Sequence, residues 1–374
     1  MYVLMISTDR KIFEETSAVR ARMAEYASLF EKLEIVVFAQ KSEGFSIVQI
    51  APNCRIYSTN SLTPLFYIWD ALKQGRKILK GEIPAGWVIT CQDPFETGLV
   101  GWWLTREFCI KLNLQVHTDV FNPFFITESI KNRIRAWLAK KLLPKADSIR
   151  VVSERIKKSI TNLNLKTEPI VLPIFTSSRP NLLATKDDLH KKYPQFDFII
   201  LMASRLTQEK NFSLALRSLR QVTKKKPKLG LVIVGNGPER KKIEAEIMHL
   251  GLQNNVTLEK WNDNLSDYYQ TADLFLLTSN YEGYGRTLIE AAEVGCPILT
   301  TDVGIVGEIL NDDNSLICHV GDEDCLAKKI IWAAANQSEL KKCAQELLSE
   351  LPQKVIFNQG EYLKKYRDSM EDVE

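Results

Sequence analysis

Short unbroken apolar runs alternate along this chain with longer stretches in which apolar residues recur every three or four positions. The runs at residues 2–6, 34–38, 87–90, 114–117 and 148–152 read as strands, and 18–33, 63–79 and 130–143 read as helices between them. In the first helix Val19, Met23, Tyr26, Ala27 and Phe30 fall on one face. The strands do not alternate apolar with polar, so they predict parallel strands buried on both faces, joined by helical crossovers. A segment rich in Pro and Ser at residues 173–180, followed by polar 186–192, interrupts the pattern.

Beyond it the alternation restarts. Strands are expected at 198–203, 230–234, 256–259, 274–278, 297–300 and 315–318, with helices at 213–223, 239–250, 264–271, 286–294 and 325–335. A polar helical stretch near 359–370 ends the chain. The pattern predicts an α/β protein of two doubly wound halves with no repeat between them. We place a first domain at 1–180, a linker at 181–195 and a second domain at 196–352, with a C-terminal helix in 353–374 that returns to the first domain. In open α/β sheets ligands gather beyond the carboxyl ends of the strands, so functional residues are sought in the loops there.

Composition changes this picture little. With 374 residues, 45% apolar and 25% charged, the chain can build two ordinary cores. A net charge of +3 gives no reason to expect a nucleic-acid partner. The seven cysteines are odd in number, and none are spaced Cys-x-x-Cys. They read as unpaired thiols of a reducing compartment, neither a disulfide framework nor a zinc site. The apolar start lacks the charged flank and length of a signal peptide, and no apolar run of about 18 residues occurs. A cytoplasmic protein is the expectation.

The strongest chemical signal is Glu282-Gly283-Tyr284-Gly285-Arg286-Thr287-Leu288-Ile289-Glu290, directly after the strand expected at 274–278. The glycines let backbone approach a ligand closely. A helix opening near Gly285 would aim its N–H groups and positive dipole end outward, a setting for a diphosphate. Glu290 can accept bonds from sugar hydroxyls. The second signal is Arg205 and Lys210 in one strand-end loop, a forked and a point cation able to reach the same phosphates. Alone, each segment is better explained by solvated surface charges, and it is the strand before Glu282, its glycines and Gly295-Cys296-Pro297 after it that turn the first one toward a site.

Together these residues resemble the family 4 glycosyltransferases. The resemblance is specific across residues 198–308, taking in the Gly235-Asn236-Gly237-Pro238 turn, Gly295-Cys296-Pro297 and Gly307-Glu308, and looser over the first half. It implies the GT-B fold, two facing Rossmann-like doubly wound domains with a cleft between them. It also implies transfer of a hexose-type sugar from a nucleotide-diphosphate donor, UDP- or GDP-linked, with retention of anomeric configuration and no metal. The acceptor would be a glycan or lipid-linked molecule. By resemblance, Arg205 and Lys210 neutralise the diphosphate, Glu282 lies near the donor sugar, Gly283 to Gly285 offer amides to phosphate, and Glu290 holds the ribose. Gly235, Tyr284, Arg286 and Thr287 join the donor-binding set.

In the first half His117-Thr118-Asp119 follows a strand, where the family often has a histidine near the site of transfer. A hydrogen-bonded structural histidine is the competing reading. Ser153 matches a family serine, or caps a helix. The loop after the first strand departs from the family because residues 7–17 hold no glycine. Asp9, Arg10, Thr16 or Ser17, with Asp119, are the acceptor-side candidates in its place.

Three further signals carry less. Gly235-Asn236-Gly237 hints at a dinucleotide site, but Arg240 stands where the third glycine belongs. Asp322-Glu323-Asp324 has a metal-binding form but sits where acids favour a helix start. Ile130, Ile134, Trp137, Leu138 and Leu142 form a stripe among Lys131, Arg133, Arg135, Lys140, Lys141 and Lys145. This is either a core helix with a basic outer face or a peripheral contact to the inner face of a membrane through residues 130–145. The competing whole-chain readings are a sugar-nucleotide 2-epimerase of the same architecture and a non-catalytic scaffold subunit.

Overall fold

The structure is a computed structural model that describes residues 1–81, 86–175, 188–262 and 265–371. The chain divides into two compact units: Met1–Pro173 with Asn358–Glu374, and Ile174–Phe357. Residues 181–187 of the expected linker lie outside the described residues.

The first unit holds strands β1 (Tyr2–Ser7), β2 (Lys32–Val37), β3 (Val48–Ala51), β4 (Cys54–Ser58), β5 (Trp87–Cys91), β6 (Lys111–Val116), β7 (Ser148–Val151) and β8 (Ile170–Val171) in the order β3-β4-β2-β1-β5-β6-β7-β8. Every pairing is parallel except β3 with β4, an edge hairpin that the sequence pattern misses. β1 is buried from Val3 to Ile6, as the unbroken apolar run requires. The first helix ends at Ala27, short of the expected residue 33. Leu33 is drawn instead into β2, where it pairs with Val3 and its N–H meets Asn53 O at 2.8 Å. The C-terminal helix Gln359–Asp368 belongs to this unit and buries Tyr362 and Tyr366.

The second unit holds β9 (Phe198–Ala203), β10 (Leu229–Val234), β11 (Val256–Glu259), β12 (Leu274–Leu277), β13 (Ile298–Thr301) and β14 (Leu316–Cys318), all parallel, in the order β11-β10-β9-β12-β13-β14. Counted from its first strand this is the doubly wound order 3-2-1-4-5-6. Helix Phe212–Thr223 turns Phe212, Ala215, Leu216, Leu219 and Val222 inward at helical spacing, over β9 and β10. The order reverses between β9 and β12, the place in an open α/β sheet beside whose strand ends ligands gather.

One expectation about the cysteines is overturned. Cys318 and Cys325 form a disulfide, with Cα atoms 5.9 Å apart. The turn at 319–322 folds the first turn of helix Glu323–Ala335 back beside the end of β14, which a spacing of seven residues does not reveal. Cys54, Cys91, Cys109, Cys296 and Cys343 are free.

Candidate functional site

The switch point of the second sheet brings two distant segments together. The loop after β9 carries the short 3-10 turn Gln208–Lys210, and the loop after β12 carries Glu282. Lys210 Nζ and a Glu282 carboxylate oxygen form a hydrogen-bonded ion pair, both side chains nearly buried. Ser279 Oγ donates to the same oxygen at 2.7 Å. The loops are also tied by backbone. Asn280 N–H meets Glu209 O at 2.8 Å, and Thr278 Oγ1 donates to Lys210 O at 2.9 Å. Asn211 sits in the left-handed region at φ 48°, where its side chain caps helix Phe212–Thr223 and bonds Asn280 at 2.9 Å. Lys210 is therefore held at its ammonium by Glu282 and at its backbone oxygen by Thr278, contacts which the sequence does not announce.

Arg205 is placed differently. Its side chain is 78% exposed and lies 3.6 Å from Glu209. The two cations of one loop thus divide, Lys210 inward and Arg205 at the rim.

Helix Arg286–Glu293 opens at Gly285, whose φ of 87° favours glycine. A Cβ there would also stand 2.9 Å from Leu288 Cδ1. The first N–H groups of this helix follow within a few residues of Glu282, so a charged pair and a positive helix end share one strand end. Glu290 lies one turn in, accepting from Tyr269 Oη at 3.2 Å and Arg286 Nη2 at 3.3 Å. Burial pushes its carboxyl above the usual range, and Arg286 opposes that rise. Tyr284 is buried, with its hydroxyl unpaired among the described residues. Thr287 is half-buried, and Gly283 is buried. Gly235, after β10, faces Ser204 O so closely that a Cβ would come within 2.1 Å, which explains a glycine there by packing alone.

In the first unit His117 follows β6. Its Nε2 lies 3.2 Å from Gln115 Oε1. Burial, with Arg150 and Arg22 nearby, holds its pKa down at about 3, so the ring is neutral. Burial raises the Asp119 carboxyl. Asp9 and Ser17 are occupied as helix caps, accepting from Lys11 N and Arg20 N. Arg10 bonds Phe38 O at 3.0 Å and Tyr67 Oη at 2.7 Å, while Thr16 is exposed. Ser153 caps helix Glu154–Ile160, and Asp322 caps Glu323–Ala335. Glu323 receives Arg217 at 2.9 Å. Among the described residues no cluster of three His, Cys, Asp or Glu is arranged to hold a metal ion.

The stripe on helix Ile130–Leu142 divides: three of its five residues face outward, Leu138 is half-buried and Leu142 is buried. Ile130, Ile134 and Trp137 are 75%, 54% and 59% exposed, and the helix buries Asn132, Ala136, Ala139 and Leu142 instead. The core-helix reading therefore fails for these three residues, since the helix packs on the side that carries Ala136, Ala139 and Leu142. No helix among the described residues is long and apolar enough to cross a membrane.

Two α/β units built on largely parallel sheets define the class: the GT-B fold. Solved structures share that fold across the whole chain. Sucrose-phosphate synthase of Thermosynechococcus elongatus matches with TM-score 0.79 at 19% identity, covering 98% of each chain. Anabaena HepE, solved in complex with UDP and glucose, matches with TM-score 0.76 at 17% identity over 100% of each. Residues 185–347 match the family model of glycosyl transferases group 1. An uncharacterized glycosyltransferase of Methanocaldococcus jannaschii is 26% identical over 84% of this chain and 82% of its own. The alpha-monoglucosyldiacylglycerol synthase of Streptococcus pneumoniae is 25% identical over 66% of this chain and 58% of its own. The second unit thus carries the match to glycosyl transferases group 1, and most of the chain is similar to curated glycosyltransferases.

Proposed function

We propose that the protein transfers a hexose-type sugar from a UDP- or GDP-linked donor to a glycan or lipid-linked acceptor with retention of configuration, without a metal. The observation that carries this reading is the Lys210–Glu282 pair beside the glycine-opened helix at the switch point. In the reaction the bond from the anomeric carbon to the diphosphate oxygen breaks, a bond to the acceptor oxygen forms, and the acceptor's proton is released. Negative charge grows on the leaving diphosphate. Lys210, Arg205 and the amides around Gly283 to Gly285 would stabilise it, a preorganised electrostatic effect. Glu282 would pass from its partner Lys210 toward the donor sugar, and Glu290 would accept from the ribose. His117 would accept from a sugar hydroxyl, and Asp119 with the loop carrying Asp9, Arg10, Thr16 and Ser17 would lie on the acceptor side.

The same reading places the enzyme in the cytoplasm as a peripheral protein on the inner face of a membrane. Exposed Ile130, Ile134 and Trp137 stand among exposed Lys131, Arg133, Lys140, Lys141 and Lys145. No acidic residue occurs from 129 to 146. Apolar insertion flanked by cations suits an anionic lipid surface.

The test is thermal stabilisation by a panel of nucleotide sugars, followed by proton NMR of the anomeric product. A shift with one nucleotide, lost in Lys210→Ala and Glu290→Ala, supports the donor site. No shift with any nucleotide overturns it, and an inverted product overturns retention.

A further inference from the structure

The first unit contains a buried polar chain that ends on His117. Arg150 on β7 is 2% exposed, and the acceptors it meets are neutral. Its Nε donates to Leu172 O at 3.0 Å and its Nη2 to Pro173 O at 2.8 Å and Tyr362 Oη at 2.9 Å. Its Nη1 donates to Gln115 Oε1 at 2.9 Å. A guanidinium cannot accept a hydrogen bond, so the Gln115 atom facing it must be the oxygen. The Gln115 amide nitrogen then points the other way, donating to Thr90 Oγ1 at 2.9 Å and Tyr366 Oη at 3.2 Å. Tyr366 also lies under the Arg150 guanidinium, 5.1 Å from ring centre to Cζ. Both tyrosines stand on the C-terminal helix Gln359–Asp368, more than two hundred residues along the chain from Gln115.

This orientation decides the chemistry of the imidazole. His117 Nε2 faces an oxygen that can only accept, so Nε2 carries the proton. The charged groups near the ring, Arg150 and Arg22, are both cations and disfavour a second proton. Nδ1 is left as a bare acceptor, buried and without a hydrogen-bond partner among the described residues.

We propose that the C-terminal helix is a positioning element for His117: through Tyr362, Tyr366, Arg150 and Gln115 it fixes the Nε2–H tautomer, leaving Nδ1 to accept from a substrate hydroxyl. The hydroxyl-bearing substrate rests on the sugar-transfer reading above, but the tautomer does not. Gln115, Arg150 and Tyr366 are positioning residues that act through the ring.

The test is nitrogen-15 NMR of the full chain, which has only four histidines, with His117 assigned by its loss in His117→Gln. The wild type is expected to show a protonated Nε2 and an unprotonated Nδ1. Gln115→Met removes the acceptor and should bring in the Nδ1–H form, with kcat reduced about 10- to 100-fold, by analogy with loss of the partner that orients a metal-bound histidine. Gln115→Glu keeps the acceptor and should keep the tautomer. Tyr366→Phe preserves the buried ring, and it should shift the spectrum in the direction of Gln115→Met if that variant does not fold. A wild-type Nδ1–H signal, or a spectrum untouched by Gln115→Met and Tyr366→Phe, overturns the proposal. Full turnover by His117→Gln would instead remove His117 from the transfer reading while leaving the tautomer result standing.

Discussion

Lys210 and Glu282, 72 residues apart in sequence, meet as a nearly buried ion pair where the strand order of the second sheet reverses. Each is the other's main compensation for lost water, and Ser279 completes the set. A ligand phosphate arriving at Lys210 would compete with Glu282 for the same ammonium.

Lys210→Met is therefore expected to lower kcat/KM about 10²–10³-fold, the usual loss when one preorganised donor to developing charge is removed. It should also destabilise the second unit by roughly 1–3 kcal/mol, because the nearly buried Glu282 carboxyl is left without its partner. In a double-mutant cycle with Glu282→Leu, the double variant should be more stable than the two single losses added together imply. Chemical denaturation and steady-state kinetics on the four proteins check both statements; strict additivity would mean the pair is not coupled.

Glu290 gives a pH prediction. Its folded pKa is raised from the ordinary 4.5 by burial, so the folded state holds its proton more tightly than the unfolded chain. Its contribution is fully present below the unfolded pKa and is lost as pH rises through the folded value. Glu290→Gln should remove that loss. The variant should be at least as stable as the wild type at pH 7, while losing nucleotide-sugar affinity. Unfolding curves between pH 4 and 8, beside titration calorimetry, separate the two effects.

His117 has the opposite sign. Its folded pKa of about 3 lies below the ordinary 6.5, so the unfolded chain binds the extra proton. Stability tied to the neutral ring is present above pH 6.5 and is lost as pH falls toward 3. At pH 5 the wild type should have lost about 2 kcal/mol relative to pH 8 that His117→Gln does not lose. Equal slopes for the two proteins would show that the ring is not held neutral.

The outward stripe predicts binding to lipid. In flotation assays the protein should rise with vesicles containing anionic phospholipid and remain behind with purely zwitterionic ones. Ile134→Ser with Trp137→Ser should abolish flotation, and Lys140→Glu with Lys141→Glu should weaken it and its salt sensitivity, each cation being worth about 1 kcal/mol near such a surface. Flotation unchanged in both pairs would exclude this helix as the contact.

Gly285→Ala should be poorly tolerated. The left-handed backbone and the 2.9 Å approach to Leu288 both oppose a Cβ. A stability loss above about 1 kcal/mol is expected, with weaker donor binding, measured by melting with and without nucleotide sugar.

Much of this molecule was legible in one dimension because its strands are buried on both faces. An unbroken run such as Phe198–Ala203, short and set between helical stretches, suits a parallel strand covered on both faces, and the helix over it shows its inner face by period. Gly285 and Glu290 were readable for the same local reason, since a helix start after a strand is a sequence feature. The hairpin of β3 and β4 was not readable, because only Cys54, Ile56 and Ser58 are buried in it and the rest is edge. Tertiary structure alone decided three matters. It turned Lys210 to Glu282 while leaving Arg205 in solvent, a choice set by which strand ends lie side by side. It faced Ile134 and Trp137 outward, because the side of the helix that meets the rest of the unit is the one that carries Ala136, Ala139 and Leu142. It also joined Gln115 to Tyr366, because a buried amide must find partners wherever the fold brings them, however distant in the chain.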